Sequence, residues 1–230
     1  MALETTESSQ SKNPWSTKQS IYVAIISLTV GIIIFTIAFV GMQQNTSIGV
    51  FNQPILSWMV VHRDTQITSI MKFVTGIADP MAFAIIVAIG AGFLAIIKRK
   101  IWRPILLIGA TGIAAIVSTL LKTVVMNNRP SQIDMIAPFE LDYSFPSGHT
   151  IVITVFLLVL GYLICSRNSN KTKITAWIVA TIIGISLIAT SRLYLGYHWL
   201  TDVTASVGLG FIILSTSIVI DRLVDKHFNN

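Results

Sequence analysis

The chain has 230 residues, of which 53% are hydrophobic and 11% are charged, and its mean hydropathy is +0.74. A soluble domain carries about 25% charged residues, so this composition excludes an ordinary soluble domain and indicates an integral membrane protein. The net charge of +6 could suggest a nucleic-acid partner, but the basic residues lie beside apolar segments, where membrane orientation explains them better. No nucleic-acid partner is therefore expected.

The chain begins with a polar stretch, residues 1–20, which has acidic residues early and no basic start. This is not the pattern of a secretory signal peptide, and the stretch is interpreted as a flexible cytoplasmic tail. Six apolar segments follow, with lengths near the roughly 20 residues that a membrane-spanning helix needs. They are residues 21–42, 81–97, 104–126, 150–165, 174–190 and 203–220. The predicted fold is all-α, a six-transmembrane-helix bundle over 21–222, with a second cytoplasmic tail at 223–230.

The distribution of Lys and Arg predicts how this bundle is oriented. Eleven of the sixteen basic residues lie at the two ends of the chain and in the loops after the second and fourth spans. Basic loops stay in the cytoplasm, so both termini are predicted to be cytoplasmic and three loops to face outward. The first outer loop, 43–80, has apolar residues at helical spacing and predicts one or two amphipathic interfacial helices. The other outer loops are 127–149 and 191–202.

Three cations are predicted at the outer face, where charge at membrane depth marks a functional candidate. Lys122 and Arg129 are seven residues apart, which is about two helical turns, so they are predicted on one side of a continuing helix. Arg192 comes from the outer loop 191–202. Three cations aimed at one place match the dianionic head of a phosphate monoester or a diphosphate.

The remaining polar residues of this face suggest acid–base and nucleophilic chemistry. Ser147 and Gly148 stand at the start of the fourth span, where backbone N–H groups at a positive helix end are predicted to bind phosphate oxygens. His198 and Asp202 are four residues apart; a carboxylate on one ring nitrogen would raise the basicity of the other and favour His198 as nucleophile. His149 has no carboxylate nearby in sequence and suits a general acid.

Three motifs carry a resemblance to a known family. They read K-x6-R-P from Lys122, P-S-G-H from Pro146 and S-R-x5-H-x3-D from Ser191. In order and spacing they resemble the motifs of the type 2 phosphatidic acid phosphatase superfamily, and the likeness covers about residues 20–222. The chain is most similar to small bacterial members that act on phosphatidylglycerophosphate or undecaprenyl diphosphate.

The resemblance implies a lipid phosphatase of the cytoplasmic membrane that needs no metal and no other cofactor. The phosphate-binding residues that it implies are Lys122, Arg129, Ser147, Gly148 and Arg192. His198 would attack phosphorus to form a phosphohistidine, with Asp202 orienting its ring. His149 would protonate the leaving group, and water would then hydrolyse the phosphoenzyme.

The same residues allow three alternatives to this hypothesis. Two histidines and an aspartate could form a facial triad for iron or zinc, although the neighbouring cations would repel a metal ion. A transporter could use charged residues along a pathway, although all the candidate residues map to one edge of the membrane. A phosphotransferase that passes the phosphoryl group to another lipid stays open, as do the lipid and the oligomeric state.

The remaining histidines, the cysteine and the acidic residues of the second outer loop are predicted to have no catalytic role. His62 and His227 are predicted to be surface residues. Cys165, as the single cysteine, excludes an intramolecular disulfide and is predicted to be a small core or lipid-facing residue. The acidic residues of the second outer loop are predicted to be solvated loop charges; they are Asp134, Glu140 and Asp142.

Overall fold

The computed structural model describes residues 14–98, 101–167 and 170–228, and over these residues the chain is helical, without a strand. The all-α prediction is confirmed for them. The α-helices are α1 Thr17–Gln44, α2 Asn52–Val61, α3 Thr65–Ile77, α4 Pro80–Lys98, α5 Trp102–Val125, α6 Gly148–Cys165, α7 Lys171–Tyr194 and α8 Leu200–Phe228. Two short 3-10 helices lie at Ser47–Phe51 and Gln132–Asp134.

Five of these helices are long and apolar enough to cross a membrane, namely α1, α5, α6, α7 and α8. A sixth crossing results when α3 and the first part of α4, which meet at 53°, are taken as one broken span. The predicted span 81–97 therefore lies on the second half of a bent pair, and the count of six depends on that pair. The first predicted outer loop does contain helices, α2 and α3, whose interfacial position stays a prediction.

Helix ends extend into both predicted tails. Ser16 and Gln19 form a capping box in which each side chain accepts a hydrogen bond from the other's backbone N–H, so α1 begins at Thr17 rather than near residue 21. At the other end α8 continues to Phe228, so the segment from 223 is helical. The tail residues 1–13 and the side chain of His227 lie outside the described part of the chain.

Helix α6 lies at the centre of the bundle. In the most apolar stretch of α6, 67% of the residues are buried, compared with 22% in α1 and 17% in α7. The other faces of α1 and α7 expose large apolar side chains suited to lipid. The buried residues of α6 pack against α5 and α8. Cys165 at its end is also buried. Helix α1 packs along α8, where a Cβ on Gly31 would come within 2.7 Å of the Gly208 carbonyl oxygen, so glycine permits the close approach.

The start of α6 lies at the same end of the bundle as the end of α5, the end of α7 and the start of α8. Ser147 caps α6 by accepting from the backbone N–H of Thr150. The hydroxyl of Ser206 in α8 donates to the carbonyl oxygen of Ser147 at 3.0 Å. The start of α6 is thereby held against α8, which fixes the relative positions of their polar residues.

Candidate active site

His198 and Asp202 form a buried pair at the start of α8. The exposed fractions of their side chains are 1% and 0%, and His198 Nδ1 lies 3.2 Å from Asp202 Oδ2. The pair was predicted from helical spacing, but His198 precedes α8, and Asp202 reaches it by pointing back over the helix start to accept from the Trp199 N–H at 2.9 Å. Because a carboxylate only accepts, the ring proton lies on Nδ1 and the lone pair on Nε2.

Asp202 is held in place by a residue that the sequence analysis missed. Asn127, just beyond the end of α5, donates from Nδ2 to Asp202 Oδ1 at 3.4 Å and to Ser144 Oγ at 2.9 Å. Ser144 in turn donates from its backbone N–H to the Asn127 carbonyl oxygen at 2.9 Å. The only sequence signal was the position of Asn127 two residues before Arg129, and an asparagine in a loop has no distinctive pattern of its own.

Lys122 and Arg129 come together, although not by the predicted route. Helix α5 ends at Val125 and Met126 takes a left-handed backbone conformation, so Arg129 lies in the following loop and not on a continuing helix. The Arg129 side chain turns back and donates to the Tyr197 carbonyl oxygen at 2.6 Å, with Nη1 3.3 Å from His198 Nε2. A guanidinium therefore lies beside the free ring nitrogen of His198.

Arg192 lies in the last turn of α7, not in the loop where it was predicted, and it is 1% exposed. Its Nη1 donates to Thr75 Oγ1 of α3 at 2.8 Å, and its guanidinium lies over the Tyr197 ring, 4.4 Å from the centroid. No described residue accepts from its Nε. A buried guanidinium with an unused donor is a feature expected of an anion site.

Two loop carboxylates contact all three cations, which the prediction of solvated loop charges did not include, although the Asp142 side chain is 57% exposed. Glu140 binds Arg192 and also Arg129, with 2.7 Å between Oε2 and Nη2. Asp142 binds Lys122 at 2.5 Å and Arg129 at 2.6 Å. Burial alone would raise the pKa of Asp142, but the bonds from Lys122 and Arg129 outweigh it and lower the pKa below the usual value. Asp142 is thus charged at neutral pH.

The third loop carboxylate behaves as predicted. The side chain of Asp134 makes no hydrogen bond or ion pair with any described residue. Its backbone carbonyl oxygen accepts from Arg63, which ties the loop to the end of α7 through Tyr194. His62 is likewise exposed, and its ring stacks on Trp58 with 4.5 Å between centroids.

The start of α6 corrects one predicted phosphate contact. The backbone N–H of Ser147 points to the Asp202 carbonyl oxygen at 3.4 Å, and its hydroxyl caps the helix, so this fully buried residue is engaged within the protein. The N–H groups of Gly148 and His149 have no acceptor among the described residues. They stand in the first turn of α6, at the positive end of its dipole. The half-buried His149 ring has no hydrogen-bond partner in the described chain either.

The surroundings of His198 keep its ring neutral. Burial lowers its pKa well below the usual value, and the charges of Arg129, Arg192 and Lys122 lower it further. A neutral ring with its proton on Nδ1 presents a lone pair at Nε2, which is the form a nucleophile requires.

No group of three or more His, Cys, Asp or Glu side chains in the described chain is arranged to hold a metal ion. The cluster instead combines a neutral histidine, a second histidine and three cations. Such a set can bind a phosphoryl group, attack it and protonate what leaves.

Comparison with known proteins identifies the family. The sequence profile of the PAP2 superfamily matches residues 103–223, which is more than half of the chain and runs from α5 into α8. The chain belongs to the PAP2 superfamily. All the candidate residues fall inside the matched range.

Two curated PAP2 relatives are phosphatases. Phosphatidylglycerophosphatase B of Bacillus subtilis is 29% identical over 157 residues, covering 67% of this chain and 75% of the relative. Undecaprenyl-diphosphatase of Sulfolobus acidocaldarius is 28% identical over 204 residues, covering 87% and 91%. As a PAP2 protein with such relatives, the chain is a membrane lipid phosphatase.

A solved PAP2 structure shares the fold. The crystal structure of a transmembrane PAP2-type phosphatidylglycerolphosphate phosphatase from Bacillus subtilis superposes with a TM-score of 0.68 at 22% identity, covering 88% of this chain and 98% of that one. The chain is therefore a multi-pass membrane protein with the architecture of that enzyme.

Proposed function

We propose that this PAP2 phosphatase hydrolyses a phosphate or diphosphate monoester of a lipid through a phosphohistidine intermediate at His198. The observation that carries the proposal is the orientation of one ring. Asp202 engages Nδ1 of His198, while Nε2 faces the guanidinium of Arg129 at 3.3 Å. A nucleophilic nitrogen next to a phosphate-binding cation is the geometry that in-line attack on phosphorus needs.

The cations and the α6 start account for binding and for the transition state. Lys122, Arg129 and Arg192 would neutralise the charge on the equatorial oxygens, and the N–H groups of Gly148 and His149 would add two fixed donors. Because three positive side chains supply this stabilisation, the reaction needs no metal ion, and a chelator is expected to leave the rate unchanged. The His149 ring, unbonded to any described residue, would protonate the leaving oxygen.

The proposed site faces the outer side of the cytoplasmic membrane, with both termini in the cytoplasm. This orientation is supported by the eleven basic residues at the opposite ends of the spans. Undecaprenyl diphosphate is the first candidate substrate and phosphatidylglycerophosphate the second. Each is supported by a relative that is named for it, and the alignment with the undecaprenyl-diphosphatase covers more of this chain.

A groove in the bundle supports sideways access of the lipid from the membrane. It has a volume of about 640 Å³ and runs between α4 and α5 up to Lys122, Asp142 and Gly148. Small residues line its length, namely Ala84, Ala88 and Ala115. A lipid chain lying in this groove would place its phosphate head at the cations.

The substrate assignment is tested by measuring inorganic phosphate released by purified protein from a panel of lipid phosphates. We expect undecaprenyl diphosphate to give the highest kcat/KM, followed by phosphatidylglycerophosphate. Release should be unchanged by a chelator and lost in the His198→Ala variant. No release from any lipid phosphate, or activity that a chelator abolishes and zinc or iron restores, would refute the proposal.

The groove is tested by filling it. Ala88→Phe should lower kcat/KM for a long-chain lipid phosphate by about tenfold or more, because an added phenyl ring obstructs the chain. It should leave hydrolysis of p-nitrophenyl phosphate within about twofold, since that substrate has no chain to place. The matched control is Ile89→Phe on the same helix; Ile89 is 68% exposed and does not line the groove. Equal effects of the two variants on the lipid would contradict sideways access through this groove.

A further inference from the structure

We propose that Glu140 and Asp142 compete with the substrate phosphate for the three cations, so that binding requires the loop carrying them to move aside. This inference rests on the proposed function, because it takes the cations to be the phosphate site. We name the loop, residues 137–143, the acidic loop.

The carboxylates contact the cations as phosphate oxygens would. Each bridges two cations: Glu140 joins Arg129 to Arg192, and Asp142 joins Lys122 to Arg129. All three cations are therefore engaged by anionic oxygens that belong to the protein. A phosphate group must replace these carboxylate oxygens. A guanidinium has too few N–H donors on one edge to bind a carboxylate and a phosphate at the same time.

The charges favour exchange over simultaneous binding. Three cations and two carboxylates leave a single net positive charge, to which a phosphate dianion would add two negative charges. Carboxylates held next to a dianion repel it, and the repulsion is strong in a partly buried site. With the acidic loop displaced, the full positive charge of the three cations acts on the phosphate.

The bonds that hold the acidic loop between its two ends run to the cations, and they include one from Arg129 Nε to the Asp142 carbonyl oxygen at 2.7 Å. The residues that flank the loop are fixed, because the Ile136 N–H donates to the Leu195 carbonyl oxygen at 3.0 Å and the Ser144 N–H donates to Asn127 at 2.9 Å. Between them, residues 137–143 make no backbone–backbone hydrogen bond to any described residue. Leu141 is 83% exposed and Phe139 51% exposed, so moving the loop uncovers no apolar core.

The position of the acidic loop suits this role. Asp142 and Tyr143 line the groove between α4 and α5 at the end where it reaches Lys122. A phosphate head arriving along the groove therefore meets Asp142 before it reaches Arg129 and Arg192. Asp142 is the more exposed of the two carboxylates, at 57% against 26% for Glu140, and would be displaced first.

The alternative is that Glu140 and Asp142 position the cations, holding them in the arrangement that binds phosphate. The two roles predict opposite signs. Removing competing carboxylates strengthens phosphate binding, whereas removing positioning carboxylates weakens it. The sign of the change therefore decides between them.

The test uses the full-length protein in detergent at constant pH and ionic strength, with orthophosphate as the probe. The variant Glu140→Gln/Asp142→Asn keeps the side-chain shapes and removes both charges. We expect its inhibition constant for orthophosphate, measured against hydrolysis of p-nitrophenyl phosphate, to fall by about tenfold or more. Orthophosphate should also raise its melting temperature more than that of the unaltered protein.

The matched control is Asp134→Asn, which removes one loop charge that contacts none of the three cations Lys122, Arg129 and Arg192, and its inhibition constant should stay within about twofold of the unaltered value. An inhibition constant that is unchanged or higher in the double variant would overturn the inference, even if lipid phosphate hydrolysis by the unaltered protein upholds the proposed function. If the unaltered protein neither hydrolyses a phosphate monoester nor is stabilised by orthophosphate, the proposed function fails and the inference fails with it.

Discussion

His198→Ala is expected to lower kcat for lipid phosphate hydrolysis by about 10⁴-fold or more, because it removes the Nε2 nitrogen that lies 3.3 Å from Arg129 and is kept free by Asp202 on Nδ1. The loss should lie in kcat, since Lys122, Arg129 and Arg192 still bind the phosphate head. Phosphate release from a lipid phosphate, followed over substrate concentration, separates kcat from KM.

Two further variants make the His198 result interpretable. His198 is buried, so His198→Asn, which keeps a donor close to Asp202, serves as the variant with the smallest structural change and should be as inactive. His62→Ala is the matched control, because that ring is exposed and its contacts in the described chain are to Trp58. Full activity in His198→Ala, with a melting temperature like that of the unaltered protein, would assign the nucleophile elsewhere.

His149→Ala is expected to lower kcat/KM by an amount that depends on the leaving group. A general acid contributes about 10²–10⁴-fold when the leaving oxygen is basic and much less when it leaves as a stable anion. The loss should therefore be largest for a lipid monophosphate, which expels an alkoxide. It should be smaller for a lipid diphosphate, which expels a lipid phosphate, and for p-nitrophenyl phosphate, which expels a stable phenolate.

The ordering across substrates distinguishes proton donation from a structural role. A ring that only shapes the pocket would lower hydrolysis of all three substrates by similar factors. His149→Gln keeps a polar side chain without an acidic proton and should follow the same order as His149→Ala. Uniform losses in both variants would contradict the assignment of His149 as the acid.

The apolar segments and the motif residues were predictable because each has a local signal. Membrane helices need a long uncharged stretch, and the five clear spans have one. His198 and Asp202 were paired correctly from a separation of four residues, even though the contact is made by a side chain turning back over a helix start rather than along a helix. A separation of four residues keeps two side chains close in more than one backbone geometry. The predicted contact is therefore right, although the predicted continuous helix is not.

The parts that failed depend on contacts between distant segments. Arg129 was placed on a helix because the left-handed turn at Met126 has no glycine or proline to mark it. The ion pairs of Glu140 and Asp142 could not be predicted, because nothing in their own loop shows the cations that they meet from α5 and α7. Ser147 was assigned to phosphate, whereas its N–H points to the carbonyl oxygen of Asp202, a partner 55 residues away in sequence.

The phosphohistidine is the central claim, and trapping it is the most direct test. The unaltered protein, mixed with a ³²P-labelled lipid phosphate and quenched in alkaline detergent, should carry label that acid removes and alkali preserves. Mass spectrometry of the digested protein should place the added phosphoryl group on His198, and His198→Ala should carry none. Label on another residue, or a full turnover of phosphate release with no phosphoryl group on the protein at any time, would contradict the account.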